Sequence, residues 1–380
     1  MRGINPKYLD KLDDAQRDFI LSGPGKKFFD EFLCRYGNHC FLIGTTGSGK
    51  TKKGIHLLNY LKLTETQVWI STGKYDEQNG YHEIMPLFCL GMKIRIVIPK
   101  GAEFKIEEHG PDGWGPIRYN PPEIIEVSKP ESAWSAVKIS RDHNGTNKIY
   151  DTITIFEFRN TIIKSQQPEW MTRLFESLSD GAREGTLPAI LPASIHCDET
   201  KWFIAGTRIT TDQGRIKSAE AVTENATEIR SAGGRLIFYE QAYTNITPAS
   251  RENMQCTVIN RGTNITNDQN PRLAELCKKH HSNSLKRHQG IFVYEDGSTS
   301  PTDRPWLWPN YPKSEEDQKW IRKIRITYGK KYDGTKTEQE ITSEECLPEL
   351  GRFSAMAIPP EKQAEIISRW QSEGVIADEN

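Results

Sequence analysis

The sequence predicts an α/β protein in which a mainly parallel sheet is flanked by helices. Short apolar or β-branched runs alternate with amphipathic segments through most of residues 38–296. Parallel strands need long crossover connections, which are usually helices, and this alternation provides them. The predicted strands are 39–43, 67–71, 93–99, 152–158, 193–197, 235–240, 256–260 and 290–296. The predicted helices cover most of 7–33 and the segments 52–63, 168–185, 218–234 and 271–281.

Two regions depart from this alternation. Residues 100–148 are rich in Gly, Pro and Asn, which indicates an irregular insertion. From 297 onward the chain is rich in Trp, Pro and charge, and it predicts two helices, 314–325 and 359–374. We therefore divide the sequence into an N-terminal helical segment 1–37, a central domain 38–296 and a C-terminal appendage 297–380.

The composition gives no indication of a strongly basic nucleic-acid-binding protein, a membrane-spanning protein or a secreted protein. The 380 residues are 36% hydrophobic and carry 50 basic against 51 acidic side chains, so the net charge of -1 gives no sign of nucleic-acid binding by the whole surface. Any DNA contact must then come from local basic patches or from a ring that concentrates them. No apolar run reaches the ~18 residues of a membrane span, and the N-terminus lacks a signal-peptide core. Seven cysteines without a CxxC pair indicate a reducing, cytoplasmic compartment.

A glycine-rich loop lies between the first strand and the helix that follows it. The loop matches the pattern G-x-x-x-x-G-K-[ST] and consists of Gly44, Thr45, Thr46, Gly47, Ser48, Gly49, Lys50 and Thr51. Glycines let the backbone N–H groups curl around phosphate, and the helix N-terminus adds its dipole. The pattern predicts a P-loop NTPase of the RecA-like type that binds ATP and Mg²⁺. Lys50 would reach the β- and γ-phosphates, and the Thr51 hydroxyl would bind Mg²⁺.

A P-loop ATPase also needs a carboxylate at a strand end to hold Mg²⁺ and often a second one to align the attacking water. Three strand ends offer acids: Glu157, the pair Asp198 and Glu199, and Glu240. Only the pair gives an apolar strand followed directly by Asp-Glu. We assign Asp198 to Mg²⁺ and Glu199 as the general base, with Glu157 as the main alternative.

The order of elements after this pair resembles the HerA/FtsK superfamily of DNA-pumping ATPases. A helix ends in an Arg-x-x-Gly turn that begins at Arg230, the next strand is followed by Gln241, and Asn253 precedes another strand. The resemblance implies that Gln241 is a polar sensor beside the γ-phosphate. It also implies that Arg230 is an arginine finger that reaches a neighbouring subunit's nucleotide; Arg235 and Arg261 are the alternative fingers.

The resemblance implies an ATP-driven translocase of double-stranded DNA that works as a homo-oligomeric, hexameric ring. The 37 N-terminal residues are too few for the small barrel of HerA proteins, which favours a genome-packaging or DNA-transfer motor of a virus or plasmid with a protein partner from that system. The segment 201–217 and the basic cluster 278–288 are candidate contacts to the DNA backbone. The alternatives are a helicase, a terminase-like ATPase, an AAA+ loader or a nucleotide-gated assembly module with slow hydrolysis; an intact Glu199 argues against the last.

Overall fold

The computed structural model describes residues 10, 14–21, 23–73, 75–76, 81–84, 87, 92–110, 113–117, 121–141, 144–145, 148–186, 190–202, 211–286, 289–301 and 321–346. In chain order the strands are β1 Cys40–Ile43, β2 Thr66–Ile70, β3 Tyr75–Asp76, β4 Tyr81–His82, β5 Lys93–Pro99, β6 Glu103–Gly110, β7 Gly113–Pro116, β8 Glu123–Val127, β9 Ser140–Arg141, β10 Lys148–Ile149, β11 Thr152–Phe156, β12 Ala193–Asp198, β13 Gly234–Glu240, β14 Cys256–Asn260, β15 Gly290–Val293, β16 Thr299–Pro301, β17 Ile321–Lys330 and β18 Lys336–Cys346. The α-helices are α1 Asp14–Leu21, α2 Gly23–Phe28, α3 Lys50–Leu61, α4 Ala133–Ala136, α5 Gln167–Glu184, α6 Gln213–Ser231, α7 Pro248–Glu252 and α8 Pro271–Lys279.

A ten-stranded sheet in the order β16-β15-β14-β1-β13-β12-β2-β11-β5-β8 forms the centre of the fold. Every pairing from β14 to β8 is parallel, while β15 pairs antiparallel with both β14 and β16, so β15 alone of these ten strands runs in the opposite direction. The predicted α/β P-loop fold with a mainly parallel sheet is therefore confirmed. Since parallel strands carry their carboxyl ends to one edge, the residues that follow β1, β12 and β13 meet there.

Helices cover both faces of the sheet. Alternate residues of β1 face opposite sides: Cys40 and Leu42 belong to the core cluster that contains α3, while Phe41 and Ile43 belong to the cluster that contains α5 and α6. All four are buried. Full burial of such a side chain contributes about 1.5–3 kcal/mol, so burial on two faces fixes the strand that leads into the glycine-rich loop.

The insertion at 100–148 is more regular than the sequence predicts. β8 extends the main sheet beside β5, and β6 and β7 form a hairpin in a second, antiparallel sheet of order β18-β17-β6-β7. The prediction of an irregular insertion is wrong, because short strands lie between the Gly- and Pro-rich turns of this segment. Strand β6 pairs with β17, so the insertion and the tail share one sheet.

The predicted tail helix 314–325 is also wrong where the structure describes it, because 321–325 begin β17. Ile324, Ile326 and Tyr328 are buried at alternate positions, which is the period of a strand. Because charged residues separate the apolar ones, the sequence alone suggests an amphipathic helix here. Residues 314–320 and the predicted helix 359–374 lie outside the described residues.

Helix α6 begins at Gln213, earlier than the predicted 218, because Asp212 caps it. The Asp212 carboxylate accepts a hydrogen bond from the Gly214 N–H at 3.0 Å, as a side chain at this position commonly does. Two residues assigned to a DNA-contacting loop, Arg215 and Lys217, therefore lie on a helix, while 203–210 of that loop lie outside the described residues. Within the part of the chain that the structure describes, no helix is long and apolar enough to cross a membrane.

A buried ion pair ties the N-terminal segment to the amino edge of the sheet. The Arg235 guanidinium lies 2.7 Å from the Glu65 carboxylate, and both side chains are fully buried. Arg235 also donates to the backbone carbonyls of Phe32, Arg35 and Asn38 and lies over the Phe32 ring. These contacts satisfy a charge that would otherwise be expensive to bury. They also remove Arg235 from the candidates for an arginine finger, since it has no route to a neighbouring subunit.

We predict that Arg235→Ala destabilises the fold by about 3–5 kcal/mol, because it leaves the Glu65 charge buried without its partner. Chemical denaturation monitored by circular dichroism measures the free energy of unfolding. The matched control is Arg173→Ala, which breaks an ion pair with Glu131 whose side chains are 43% and 32% exposed. That change costs under about 1 kcal/mol. Equal losses in the two variants would show that burial of the pair is unimportant.

Candidate nucleotide site

The glycine-rich loop wraps the start of α3. Gly47 and Gly49 have φ angles of 75° and 88°, in the left-handed region that glycine tolerates, and Gly49 is the N-cap of α3. The Lys50 ammonium donates to the carbonyls of Gly44 at 2.7 Å and Thr45 at 3.1 Å, so it lies across the mouth of the loop. Left-handed glycines at the start of a helix, with a cation across the loop, are the features that suit a loop to phosphate.

Strand β14 braces the base of this loop. The Asn260 amide donates to the Ile43 carbonyl at 2.8 Å, and the Thr263 hydroxyl donates to the same carbonyl at 2.9 Å. The Thr45 N–H donates to the Arg261 carbonyl at 3.2 Å. Sequence reasoning missed Asn260 and Thr263, although Asn260 ends a predicted strand. Arg261, an alternative finger, lies beside the phosphate loop of its own chain.

Thr51 and Asp198, the two predicted Mg²⁺ ligands, lie side by side. The Thr51 hydroxyl donates to the Asp198 carboxylate at 3.0 Å, and the Asp198 side chain is buried. A hydroxyl and a carboxylate supply the oxygen ligands that Mg²⁺ prefers, and the ion commonly keeps waters and substrate phosphates as its other ligands. Among the described residues, no three His, Cys, Asp or Glu side chains could hold a metal together. The donor set therefore fits Mg²⁺ shared with a nucleotide better than a metal caged by protein.

Glu199 adopts an unusual backbone conformation beside this pair. Its φ is 41°, in the left-handed region that costs a non-glycine residue roughly 1–3 kcal/mol, and its N–H donates to the Asp198 carboxylate at 2.9 Å. The Gln241 amide donates to the Glu199 carboxylate at 3.3 Å. Since β13 lies between β1 and β12, Gln241 stands between the phosphate loop and Glu199. The four predicted residues Thr51, Asp198, Glu199 and Gln241 thus form one connected group.

The two alternative acids occupy other positions. Glu240 is buried, its backbone carbonyl accepts from the Gly44 N–H at 3.1 Å, and its carboxyl accepts from the Asn245 amide at 2.8 Å and from the Lys201 N–H. Burial raises its pKa to about 7. Glu157 follows β11, two strands beyond β12, and burial raises its pKa to about 7 as well. Glu240 braces the loop, and Glu157 lies away from Thr51, so the geometry favours Asp198 as the metal-binding acid.

Arg230 lies away from this group. It ends α6 just before β13 begins, at the amino edge of the sheet, and its guanidinium lies 3.9 Å from Glu295 with 40% of the side chain exposed. A seven-residue strand at about 3.3 Å per residue separates the two edges by roughly 20 Å. Arg230 therefore does not reach the phosphate loop of its own chain, and any contact with nucleotide requires a second subunit.

No family model and no curated protein matches the sequence. Among solved structures, the chain is similar to the genome-packaging NTPase B204 from Sulfolobus turreted icosahedral virus 2 in complex with AMPPCP, at 12% identity and a TM-score of 0.39 over 70% of this chain and 96% of that one. VirB4 of Thermoanaerobacter pseudethanolicus matches at 10% identity and a TM-score of 0.39 over 69% and 88%. The pCW3 conjugation coupling protein TcpA matches at 12% identity and a TM-score of 0.37 over 70% and 60%.

Proposed function

We propose that the chain is a Mg²⁺-dependent ATPase that moves double-stranded DNA. The observation that carries the ATPase part is the connected group at the carboxyl edge, where Thr51 contacts Asp198 and Gln241 contacts Glu199 beside the phosphate loop. A P-loop ATPase requires a phosphate cradle, a metal-binding hydroxyl and acid, and an acid that aligns water. This group contains a candidate for each requirement.

Each residue has a defined task in this proposal. The Lys50 ammonium turns from the loop carbonyls to the β- and γ-phosphates and balances their charge. Thr51 and Asp198 would hold Mg²⁺, which would supply positive charge to offset the negative charge that develops during transfer. The Glu199 carboxylate accepts a hydrogen bond from the attacking water and orients it, while the Gln241 amide contacts the γ-phosphate and fixes Glu199.

The DNA part of the proposal comes from the order of motifs, in which an Asp-Glu strand end, an Arg-x-x-Gly turn and a strand followed by Gln succeed the phosphate loop. In this proposal a hexameric ring places Arg230 of one subunit at the nucleotide of the next. The segment 201–217 and the basic cluster 278–288 contact DNA phosphates without reading sequence. The motor packages or transfers a viral or plasmid genome together with a protein of that system.

The test is steady-state ATP hydrolysis with and without linear double-stranded DNA across a series of protein concentrations. We expect Mg²⁺-dependent turnover that DNA stimulates and that rises more steeply than the protein concentration, because assembly completes the site. Lys50→Ala should abolish turnover in every condition. Turnover that ignores DNA would remove the translocase and leave a P-loop ATPase, whereas absent turnover with intact ATP binding would favour a nucleotide-gated assembly module.

A further inference from the structure

Three neighbouring strands end side by side at the edge that carries Glu199. Strand β2 lies between β11 and β12, and Ile70 of β2 is in register with residues of both neighbours. Arg159 lies three residues after the end of β11, Thr72 two residues after the end of β2, and Glu199 directly after the end of β12. Topology therefore places Arg159 and Glu199 on the same edge, two strands apart, although the two residues are far apart in sequence.

Hydrogen bonds fix both the guanidinium and the backbone of Arg159. Its Nη1 donates to the Thr72 carbonyl at 2.7 Å, and its own carbonyl accepts from the Gln167 amide at 2.6 Å. Thr72 is the β2 residue that corresponds to Glu199 when the β2–β12 register is continued past the strand ends. Burial lowers the Arg159 pKa, and nearby carboxylates oppose this, Glu199 most strongly. An arginine keeps its proton in such surroundings, so the site contains a fixed positive charge.

Two other acids, Glu83 and Glu157, lie near Arg159, and both differ from Glu199 in their surroundings. Glu83 accepts hydrogen bonds from the hydroxyl and N–H donors of 71–73. Burial, followed by the charge of Asp198, raises its pKa to about 8. Burial raises the Glu157 pKa to about 7. Both side chains are fully buried, whereas Glu199 is partly exposed. Of these three acids, Glu199 is thus the one that water can reach.

We infer that Arg159 is a positioning residue for ATP hydrolysis: its guanidinium, fixed on the Thr72 carbonyl, places a positive charge on the β2 side of Glu199, while the Gln241 amide contacts the Glu199 carboxylate from the β13 side. The hydrogen bond sets the direction of the carboxylate, and the nearby cation attracts it, so the two together favour the position in which it can orient water. Arg159 acts through Glu199 and belongs to the same chain, which separates it from an arginine finger. The inference rests on the proposed ATP hydrolysis and is independent of DNA.

The test measures kcat and KM for ATP, without DNA, in Arg159→Ala and Arg159→Lys. Displacement of a catalytic group by about 1 Å can cost on the order of a hundredfold, so we expect Arg159→Ala to lower kcat about tenfold to a hundredfold with KM nearly unchanged. Arg159→Lys keeps the charge and should recover part of the loss. In a background of Glu199→Asp, which keeps some turnover, Arg159→Ala should lower kcat much less than in the wild-type background, because groups that act together are not additive.

Arg173→Ala is the matched control and should leave both constants unchanged, since Arg173 pairs with Glu131 and lies on the surface of α5. Thermal unfolding of each variant detects a loss of fold, and Arg159→Gln replaces Arg159→Ala if the latter does not fold. Unchanged kcat in the neutral variants, equal rates for the Ala and Lys variants, or independent effects of Arg159 and Glu199 would each overturn the inference. A wild-type protein that binds but does not hydrolyse ATP would instead overturn the proposed function.

Discussion

Glu199→Gln should bind ATP normally and fail to hydrolyse it. The amide keeps the shape of the side chain and its contact with Gln241, but it no longer accepts a proton from the attacking water. Loss of a general base commonly costs on the order of 10²–10⁴-fold in rate, and we expect a fall of this size in kcat. Binding of a fluorescent ATP analogue together with release of phosphate measures the two properties separately.

Two further variants make this experiment specific. Glu169→Gln changes an exposed glutamate at the start of α5 in the same way and should leave turnover unchanged. Glu157→Gln tests the alternative acid and should retain most turnover, because Glu157 lies two strands from β12. Normal hydrolysis by Glu199→Gln, combined with loss in Glu157→Gln, would move the base to Glu157.

Arg230→Ala should depress the activity of wild-type subunits when the two are mixed. An arginine finger stabilises charge on the transferring phosphoryl group and contributes about 10³-fold or more to kcat. Because Arg230 lies at the edge of the sheet away from its own phosphate loop, each variant subunit would disable the site of a neighbour. Activity plotted against the fraction of variant subunits should therefore fall below a straight line.

The matched control is Arg35→Ala, which removes another arginine at the amino edge that also lies near Glu295. Mixtures that contain Arg35→Ala should follow the straight line. If mixtures with Arg230→Ala also average the two activities, Arg230 does not act on a neighbouring subunit. Arg261, which lies beside the phosphate loop, would then be the next finger candidate to test.

The parts of the site that local sequence determines were predictable. The phosphate loop is one contiguous motif, and Asp198 and Glu199 directly follow an apolar strand. Placement of these segments on a parallel sheet puts their ends at one edge, so the contact between Thr51 and Asp198 follows from the fold class. Gln241 was found through the resemblance to a known order of motifs, and the structure gives it a physical partner in Glu199.

The parts that depend on long-range pairing were not predictable. Nothing near Arg159 in the sequence indicates that β2 brings it to Glu199, and Glu83 lies in a segment without a clear pattern. Arg235 resembles an available finger until its buried pairing with Glu65 is seen. The strand β17 carries as many charged as apolar residues, and its pairing with β6 and β18 distinguishes it from a helix. In each case a partner distant in sequence decides the structure.

The most direct test of the central claim is displacement of a triplex-forming strand from a linear DNA duplex during ATP hydrolysis. A protein that moves along double-stranded DNA removes the third strand and leaves the duplex intact, whereas a helicase separates the duplex itself. We expect ATP-dependent displacement without unwinding by the wild-type protein and none by Lys50→Ala. Active ATP hydrolysis with an undisturbed third strand would contradict the translocase and leave only the ATPase.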